Sequence, residues 1–283
     1  MRVLTWNIQW GRGMDGRVDL ARLVREIHAM GPFDVICLQE VAINFPGLPG
    51  SSGEDEMALI GAGLAGYQGV FAPATDLPDG RGGRKQFGNA LFSRLPIGQV
   101  WRHSLPWPAD PEVPSMQRML LEAVVMSDLG PLRVLTTHLE YYSRRQRLAQ
   151  IDALRSRQAE SAAHAWAPRV GKGEQGGSFE VFEQPVSAIL CGDMNFPAEA
   201  EERACLLAPF PDGTPAWRDA WTVLHGAEPH AATVGIHKVD FVDRPSCFDF
   251  FFISEDLAPR LRALHVNAVT EASDHQPVWI ELG

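Results

Sequence analysis

Oxygen and imidazole side chains recur in this chain where short apolar runs give out. Asn7 closes VLTWN, Glu40 closes DVICLQE and His138 closes LRVLTTH, while Asp193 and Asn195 follow AILC and Asp274-His275 precede PVWIEL. A polar group at the edge of a buried strand has its backbone held rigidly while its side chain faces a cleft. Asp249 is unusual for lying inside the apolar run CFDFFFIS, where an ionised carboxylate needs a partner or takes up a proton. Carboxylates and amides without cysteine suit a hard cation such as Mg²⁺ or Mn²⁺, with Glu40 as the best ligand candidate. Phosphoryl transfer asks for a positioned nucleophile, charge stabilisation on the non-bridging oxygens and help for the leaving oxygen. A metal, histidine and asparagine divide those tasks. Taken singly, each residue has a structural explanation: Glu40 as a turn former or helix cap, Asp193-Met194-Asn195 as an Asx turn, His138 and His275 as satisfied histidines near the core. Only the set as a whole points to a shared site.

The elements that must position these groups alternate in type. Val3 to Ile8 is a short β-branched strand, Val18 to Met30 carries apolar residues at helical spacing up to Gly31-Pro32, and Asp34 to Gln39 is a second buried strand. Further strands are expected at Asn89 to Phe92, Leu120 to Met126, Leu132 to Thr137, Ser187 to Leu190, Phe248 to Ile253 and Val278 to Leu282. Helices are expected near Glu54 to Leu64 and Arg144 to Ala167. Asp128 to Pro131 between two apolar runs is a hairpin signal, so the sheets are mixed, with helices outside. Pro46 to Gly53 and Gly171 to Ser178 are inserted loops. Neither separates autonomous halves, and residues 1–283 are read as one domain.

Composition sets bounds. With 45% hydrophobic residues the chain is too apolar to be disordered, and 25 Lys+Arg against 35 Asp+Glu leave a formal −10. General attraction to a polyanion is therefore excluded as the main source of nucleic-acid affinity, and any phosphate site is local. No apolar run approaches the roughly 20 residues that span a bilayer, and no secretion signal opens the chain. Cys37 and Cys191 sit in strand-like runs without zinc spacing, so reduced thiols and a cytoplasmic location are expected.

Thr5-Trp6-Asn7, Leu38-Gln39-Glu40, Thr137 to Glu140, Gly192 to Asn195 and Ser273-Asp274-His275, in this order, resemble the endonuclease/exonuclease/phosphatase superfamily of DNase I-like and exonuclease III-like hydrolases. The resemblance extends from about residue 3 to the C-terminus. It implies a four-layered α/β (α+β) sandwich, two mixed β-sheets face to face with helices outside and the site at one end. It also implies divalent-metal-dependent hydrolysis of a phosphoester. Glu40 would hold the metal with Asn7 close by and Asp274 at its shell, and Asp193 would align or deprotonate the attacking water. Asn195 and His138 would contact the phosphate, and His275, oriented by Asp249, would stabilise the transition state. Cys247 departs from the pattern, since many relatives carry a basic residue there.

Substrate is less defined. Arg118 is a candidate for substrate phosphate or site support, or else a surface arginine. Arg144, Arg145 and Arg147 follow Tyr141-Tyr142, where they grip a polyphosphate or a strand whose bases stack on the tyrosines, or else form a solvated helix start. Gly80 to Lys85 reads as a mobile basic loop able to close over an anion. By THLE and TWN the chain looks most like the tyrosyl-DNA phosphodiesterase and sphingomyelinase-like branches. The expected partner is a phosphoester, either nucleic acid or a small or lipid phosphodiester, bound by a monomer. A catalytically inactive phosphate- or protein-binding member would have lost a ligand or the His/Asp pair, and every such position is filled. A covalent His or Ser mechanism finds no nucleophile elbow or paired HxK signature.

Overall fold

The computed structural model describes residues 1–167, 170, 176–237 and 239–283. In chain order the first elements are β1 (Arg2–Asn7), α1 (Leu20–Met30), β2 (Val35–Ile43), α2 (Glu56–Gly63), β3 (Gln68–Pro78), β4 (Arg84–Ser93) and β5 (Ile97–Ser104). Then come β6 (Met119–Ser127), β7 (Gly130–His138), α3 (Arg144–Trp166), β8 (Ala188–Asp193) and α4 (Glu201–Leu207). The remainder are β9 (Trp217–Asp219), α5 (Ala220–His225), β10 (Asp249–Ser254), β11 (Leu261–Val266) and β12 (Val278–Leu282).

The strands form two six-stranded sheets, ordered β11-β12-β1-β2-β4-β3 and β5-β6-β7-β8-β10-β9. Each sheet contains one parallel pair near its middle, β1 with β2 and β7 with β8, and its other pairs are antiparallel. A parallel pair needs a crossover, which α1 and α3 supply. Asp19 caps α1 by accepting from Arg22 N–H, and Ser143 caps α3 by accepting from Gln146 N–H. The inner faces meet in a core holding Val3, Val35, Cys37, Val134, Ile189, Cys191 and Phe251. Leu4, Trp6, Leu38, Leu23 and Ile60 pack sheet to α1 and α2 on one outer face; Leu135, Leu190, Ile151 and Leu206 do so with α3 and α4 on the other. This is the expected four-layered sandwich, and each fully buried leucine in it contributes about 2 kcal/mol.

The sequence reading differs from the structure at the sheet margins. β3, β5, β9 and β11 were not expected; all four are edge strands, so only one neighbour covers each and their apolar alternation is weak. Gly80 to Lys85 is the tip of the β3–β4 hairpin rather than a free loop. Arg84 and Lys85 already belong to β4, Arg84 pairs with Asp76, and the Asp79 carboxylate accepts the N–H groups of Arg81 and Gly83. The Asp128–Pro131 hairpin is present, with Gly130 at φ 97° opening β7. Of the Gly171 to Ser178 loop, residues 171–175 lie outside the described residues.

Candidate functional site

The C-terminal ends of both parallel pairs meet at one end of the sandwich, where Asn7 and Glu40 of one sheet contact Asp193 and His138 of the other. Ligands in α/β sheets bind outside such carboxyl ends. Along β1, Trp6 turns outward into the helix layer and its indole N–H donates to the His275 carbonyl at 2.9 Å. Asn7, one residue on, turns to the opposite face as strand alternation requires. Its Nδ2 donates to Glu40 Oε1 at 3.1 Å and to Asp193 Oδ2 at 3.0 Å, so one amide links the two sheets.

Glu40 does not end its strand as the sequence suggested. β2 runs on to Ile43, and Glu40 sits within it at φ 60°, where pairing with β4 slips between Leu38 and Val41. A left-handed non-glycine residue in a bulge is strained and re-aims its side chain, here into the cleft. Below it Gln39 donates to Thr5 Oγ1 at 3.1 Å and to Thr136 Oγ1 at 2.8 Å, a buried polar strut between the sheets.

The second sheet supplies a row. His138 on β7, Asp193 on β8 and Asp249 on β10 are register partners across adjacent strands. His138 Nδ1 lies 3.8 Å from Glu40 Oε1 and its Nε2 3.4 Å from Asp193 Oδ2. Asp193 Oδ1 accepts the Asn195 N–H at 3.0 Å, while Asn195, at φ 51°, donates Nδ2 to the Leu139 carbonyl at 2.8 Å. His275 contributes from the loop before β12, with Nδ1 at 2.8 Å from Asp249 Oδ2 and Nε2 at 3.6 Å from Asp193 Oδ2. Asp274 Oδ2 accepts from Gln9 Nε2 at 2.6 Å, and Gln9 N–H donates to Asn7 Oδ1 at 3.1 Å.

Burial sets the charges. Desolvation, reinforced by Asp274, pushes Glu40 up to about 7. Burial also raises Asp193 to about 6, His275 opposing and Asp249 adding to the effect, and it raises Asp274. His275 goes the other way: burial disfavours its cation, but Asp249 and Asp193 outweigh that and hold the imidazolium well above the usual range. His138 is kept neutral by burial and by the Arg118 charge. The centre thus holds more carboxylate than its own cation balances, in a donor set of oxygens and imidazoles. Glu40, Asn7 and Asp274 fit a hard divalent cation, and Asp193, Asp249 and His275 offer atoms within 4.8 Å of one another.

The structure brings Asn7, Glu40, His138, Asp193, Asn195, Asp249, Asp274 and His275 together. Arg118 is not at the surface; it is 7% exposed, with Nε on Glu140 Oε2 at 3.2 Å. Arg144 reaches none of these groups. It pairs with Glu201 at 2.6 Å and Glu202 at 3.3 Å, and Arg147 also holds Glu202, so the helix start is tied to α4. Gln9, Thr233 and Phe241 were not singled out in the sequence, and Gln39 and Ser273 were named only as members of their triplets, without a role. Gln9 lies two residues beyond Asn7, which was a usable signal. Thr233 and Phe241 belong to no recognisable pattern.

A cleft of this composition at the end of a two-sheet sandwich defines a class, the hydrolases that act on phosphoesters. The Endonuclease/Exonuclease/phosphatase family pattern matches residues 4–275, and the chain belongs to that family, which is metal-dependent in general. Among solved structures, an endonuclease/exonuclease/phosphatase from Beutenbergia cavernae aligns at 25% identity and TM-score 0.66, covering 100% of this chain and 72% of that one. A Bacteroides thetaiotaomicron mannosyl-6-phosphatase aligns at 17% identity and TM-score 0.66, covering 100% and 99%. D. rerio TDP2 complexed with single-strand DNA product aligns at 20% identity and TM-score 0.63, covering 100% and 98%. No curated protein matches the chain. Among the described residues no helix is long and apolar enough to cross a membrane.

Proposed function

We propose that the chain is a Mg²⁺- or Mn²⁺-dependent phosphoester hydrolase, acting over residues 1–283 as one domain and favouring diesters. The observation that carries this reading is the Asn7 amide shared between Glu40 and Asp193, which fixes a candidate metal ligand and a candidate base from different sheets side by side. Glu40, Asn7 and Asp274 would hold the cation, which when bound offsets charge on the phosphate and lowers the pKa of bound water.

The chain's own groups divide the rest. Asp193 has Oδ1 fixed by the Asn195 N–H and Oδ2 steadied by the Asn7 amide, and the remaining lone pair of Oδ2 would orient the attacking water and take its proton. His275, kept cationic by Asp249, donates from Nε2 to a phosphoryl oxygen as charge builds there. Neutral His138 donates to the same group, and the Asn195 amide, steadied on Leu139 O, binds another oxygen. Arg118, held by Glu140, lies behind His138 as support for the site. An inactive binding member is disfavoured because every one of these positions keeps a competent side chain.

The test is cleavage of bis-p-nitrophenyl phosphate and of a phosphomonoester with Mg²⁺, Mn²⁺ or chelator. Chelator should abolish turnover, and Glu40→Gln should both weaken Mg²⁺ binding in calorimetry and lower kcat by about 100-fold or more. Hydrolysis that survives chelation, or a Glu40→Gln variant with parental metal affinity and rate, overturns the reading.

A further inference from the structure

A second aspartate–histidine pair lies on the same sheet as Asp249, outside the cleft. Asp219 ends β9 with its carboxylate buried; Oδ1 accepts the Trp221 N–H at 2.9 Å at the start of α5, while Oδ2 accepts Arg203 Nε at 2.6 Å and stands 2.8 Å from His230 Nε2. Burial alone would raise this carboxyl, but His230 and Arg203 more than offset it and hold it below its ordinary value. An ionised carboxylate can only accept, so Nε2 of His230 carries a proton and donates it. The ring is fixed by stacking on Trp221, with centroids 5.6 Å apart and planes 26° from parallel, and by Phe250 at 5.6 Å and 56°. Trp221 is pinned in turn, its indole N–H donating to the Glu228 carbonyl at 3.0 Å.

This anchor holds a bare stretch of backbone. Residues 227–233, between α5 and the bridge of Val234 to Ser246, belong to no helix or strand, so their position depends on the few groups that grip them. His230 is the grip at one end. Three residues on, Thr233 donates its hydroxyl to Asp249 and its N–H to the Ser246 carbonyl, and its own carbonyl accepts the Gln276 N–H at 2.7 Å, next to His275. β9 and β10 are neighbours, with Phe252 opposite Asp219, so the segment runs from an aspartate on one strand to an aspartate on the next. A small cavity lined by Ala231, Thr233, Cys247, Asp249 and Phe251 adjoins it, so hydrogen bonds rather than close packing fix where it lies.

Resting on the phosphoester-hydrolase reading above, we propose that His230 is a positioning residue for that site: held by Asp219, it places Thr233, and Thr233 orients Asp249 against His275. Misplacing a reacting group by about 1 Å costs roughly 100-fold in rate, and a segment released at His230 but still tied at Thr233 shifts less, for a loss of about tenfold.

The assay is hydrolysis of bis-p-nitrophenyl phosphate with Mg²⁺ or Mn²⁺, beside a thermal melt of each variant. His230→Ala should lower kcat about tenfold with KM little changed, and His230→Gln, whose amide nitrogen takes the place of Nε2, should recover most of the loss. His230→Phe keeps a ring against Trp221 and Phe250 but no donor; it should match the alanine variant, and it carries the test if that variant does not fold. Adding His230→Ala to Thr233→Val should cost less than about twofold more, because both act through one hydroxyl. Arg203, on α4, is the control: Arg203→Gln also strips a partner from Asp219 but leaves the segment alone, so it should lower the Tm and keep kcat within about twofold of the parent. A readout besides turnover is the low-field proton resonance of His275 Nδ1–H, identified by its loss in His275→Ala, which should shift in His230→Ala and stay in place in Arg203→Gln. Parental kcat in both the alanine and phenylalanine variants, losses that multiply with Thr233→Val, or an equal loss in Arg203→Gln overturns the positioning role while hydrolysis stands. A parent that cleaves nothing with either metal removes the hydrolase reading instead, and an unmoved His275 resonance in His230→Ala overturns the placement on its own.

Discussion

Thr233 donates its hydroxyl proton to Asp249 Oδ2 at 2.6 Å, onto the same oxygen that faces His275 Nδ1 at 2.8 Å. The hydroxyl also accepts the N–H groups of Phe248 and Asp249 at 3.0 and 3.1 Å, which leaves its proton one direction to point. Among the described residues Asp249 Oδ1 is buried without a hydrogen-bond partner, so Thr233 and His275, both on Oδ2, are the side chains that hold the carboxylate. Thr233→Val, nearly the same shape, should lower kcat about tenfold with KM little changed, and Thr233→Ser should recover most of the loss. Parental kcat in the valine variant would show that the hydroxyl does not position Asp249.

The same chain of contacts fixes how Asp249 acts. Its carboxylate is hydrogen-bonded to His275, so Asp249→Asn should lose turnover by about 100-fold, and combining it with His275→Ala should add little to the histidine variant alone. Losses that multiply in the double mutant would mean that Asp249 works independently of the imidazole. For His275→Ala itself the loss should fall on kcat more than KM, since the contact strengthens as charge develops.

What could be read in advance follows from how each group is held. Asn7, His138 and Asp193 end strands whose neighbours alternate cleanly or are buried on both faces, so their exposure to a cleft was visible in the chain itself. Glu40 was recognisable as a ligand type but not as a bulge, because a positive φ on a glutamate leaves no mark in composition. Arg144 misled because its partners, Glu201 and Glu202, lie on another helix. Thr233 and Phe241 depend on contacts between segments distant in sequence, Thr233 with β10 and Phe241 with Tyr141, and no local pattern carries such a pairing.

Gly192 makes a backbone prediction next to Asp193. It sits at φ 135°, and a Cβ there would stand 1.9 Å from the Thr137 carbonyl oxygen on the paired strand β7. Backbone cannot swing aside as a side-chain tip does. Gly192→Ala should therefore cost about 3 kcal/mol, through strain and through parting β7 from β8, and should lower the Tm by several degrees. A thermal melt indistinguishable from the parent would show that the two strands do not approach so closely.

Glu56 should make stability fall as pH rises. It lies in the first turn of α2, fully buried; Oε2 accepts the Ala42 N–H at 2.8 Å and Oε1 has no hydrogen-bond partner among the described residues. Burial pushes its carboxyl from 4.5 to about 8, against the Ala42 hydrogen bond and with help from the nearby charges of Glu54 and Glu40. Between those values the folded chain keeps a proton that the unfolded chain releases. Where the native state binds more protons, unfolding free energy declines with pH, by at most ~1.4 kcal/mol per pH unit for one group. The stabilising share of the neutral acid is complete below pH 4.5 and gone above about pH 8. Glu56→Gln keeps an acceptor for Ala42 and cannot ionise. Its Tm should match or fall below the parent's at pH 5 and exceed it at pH 9, the difference growing across the interval. Two melting curves that shift in parallel with pH would show that Glu56 is ionised in the native protein throughout.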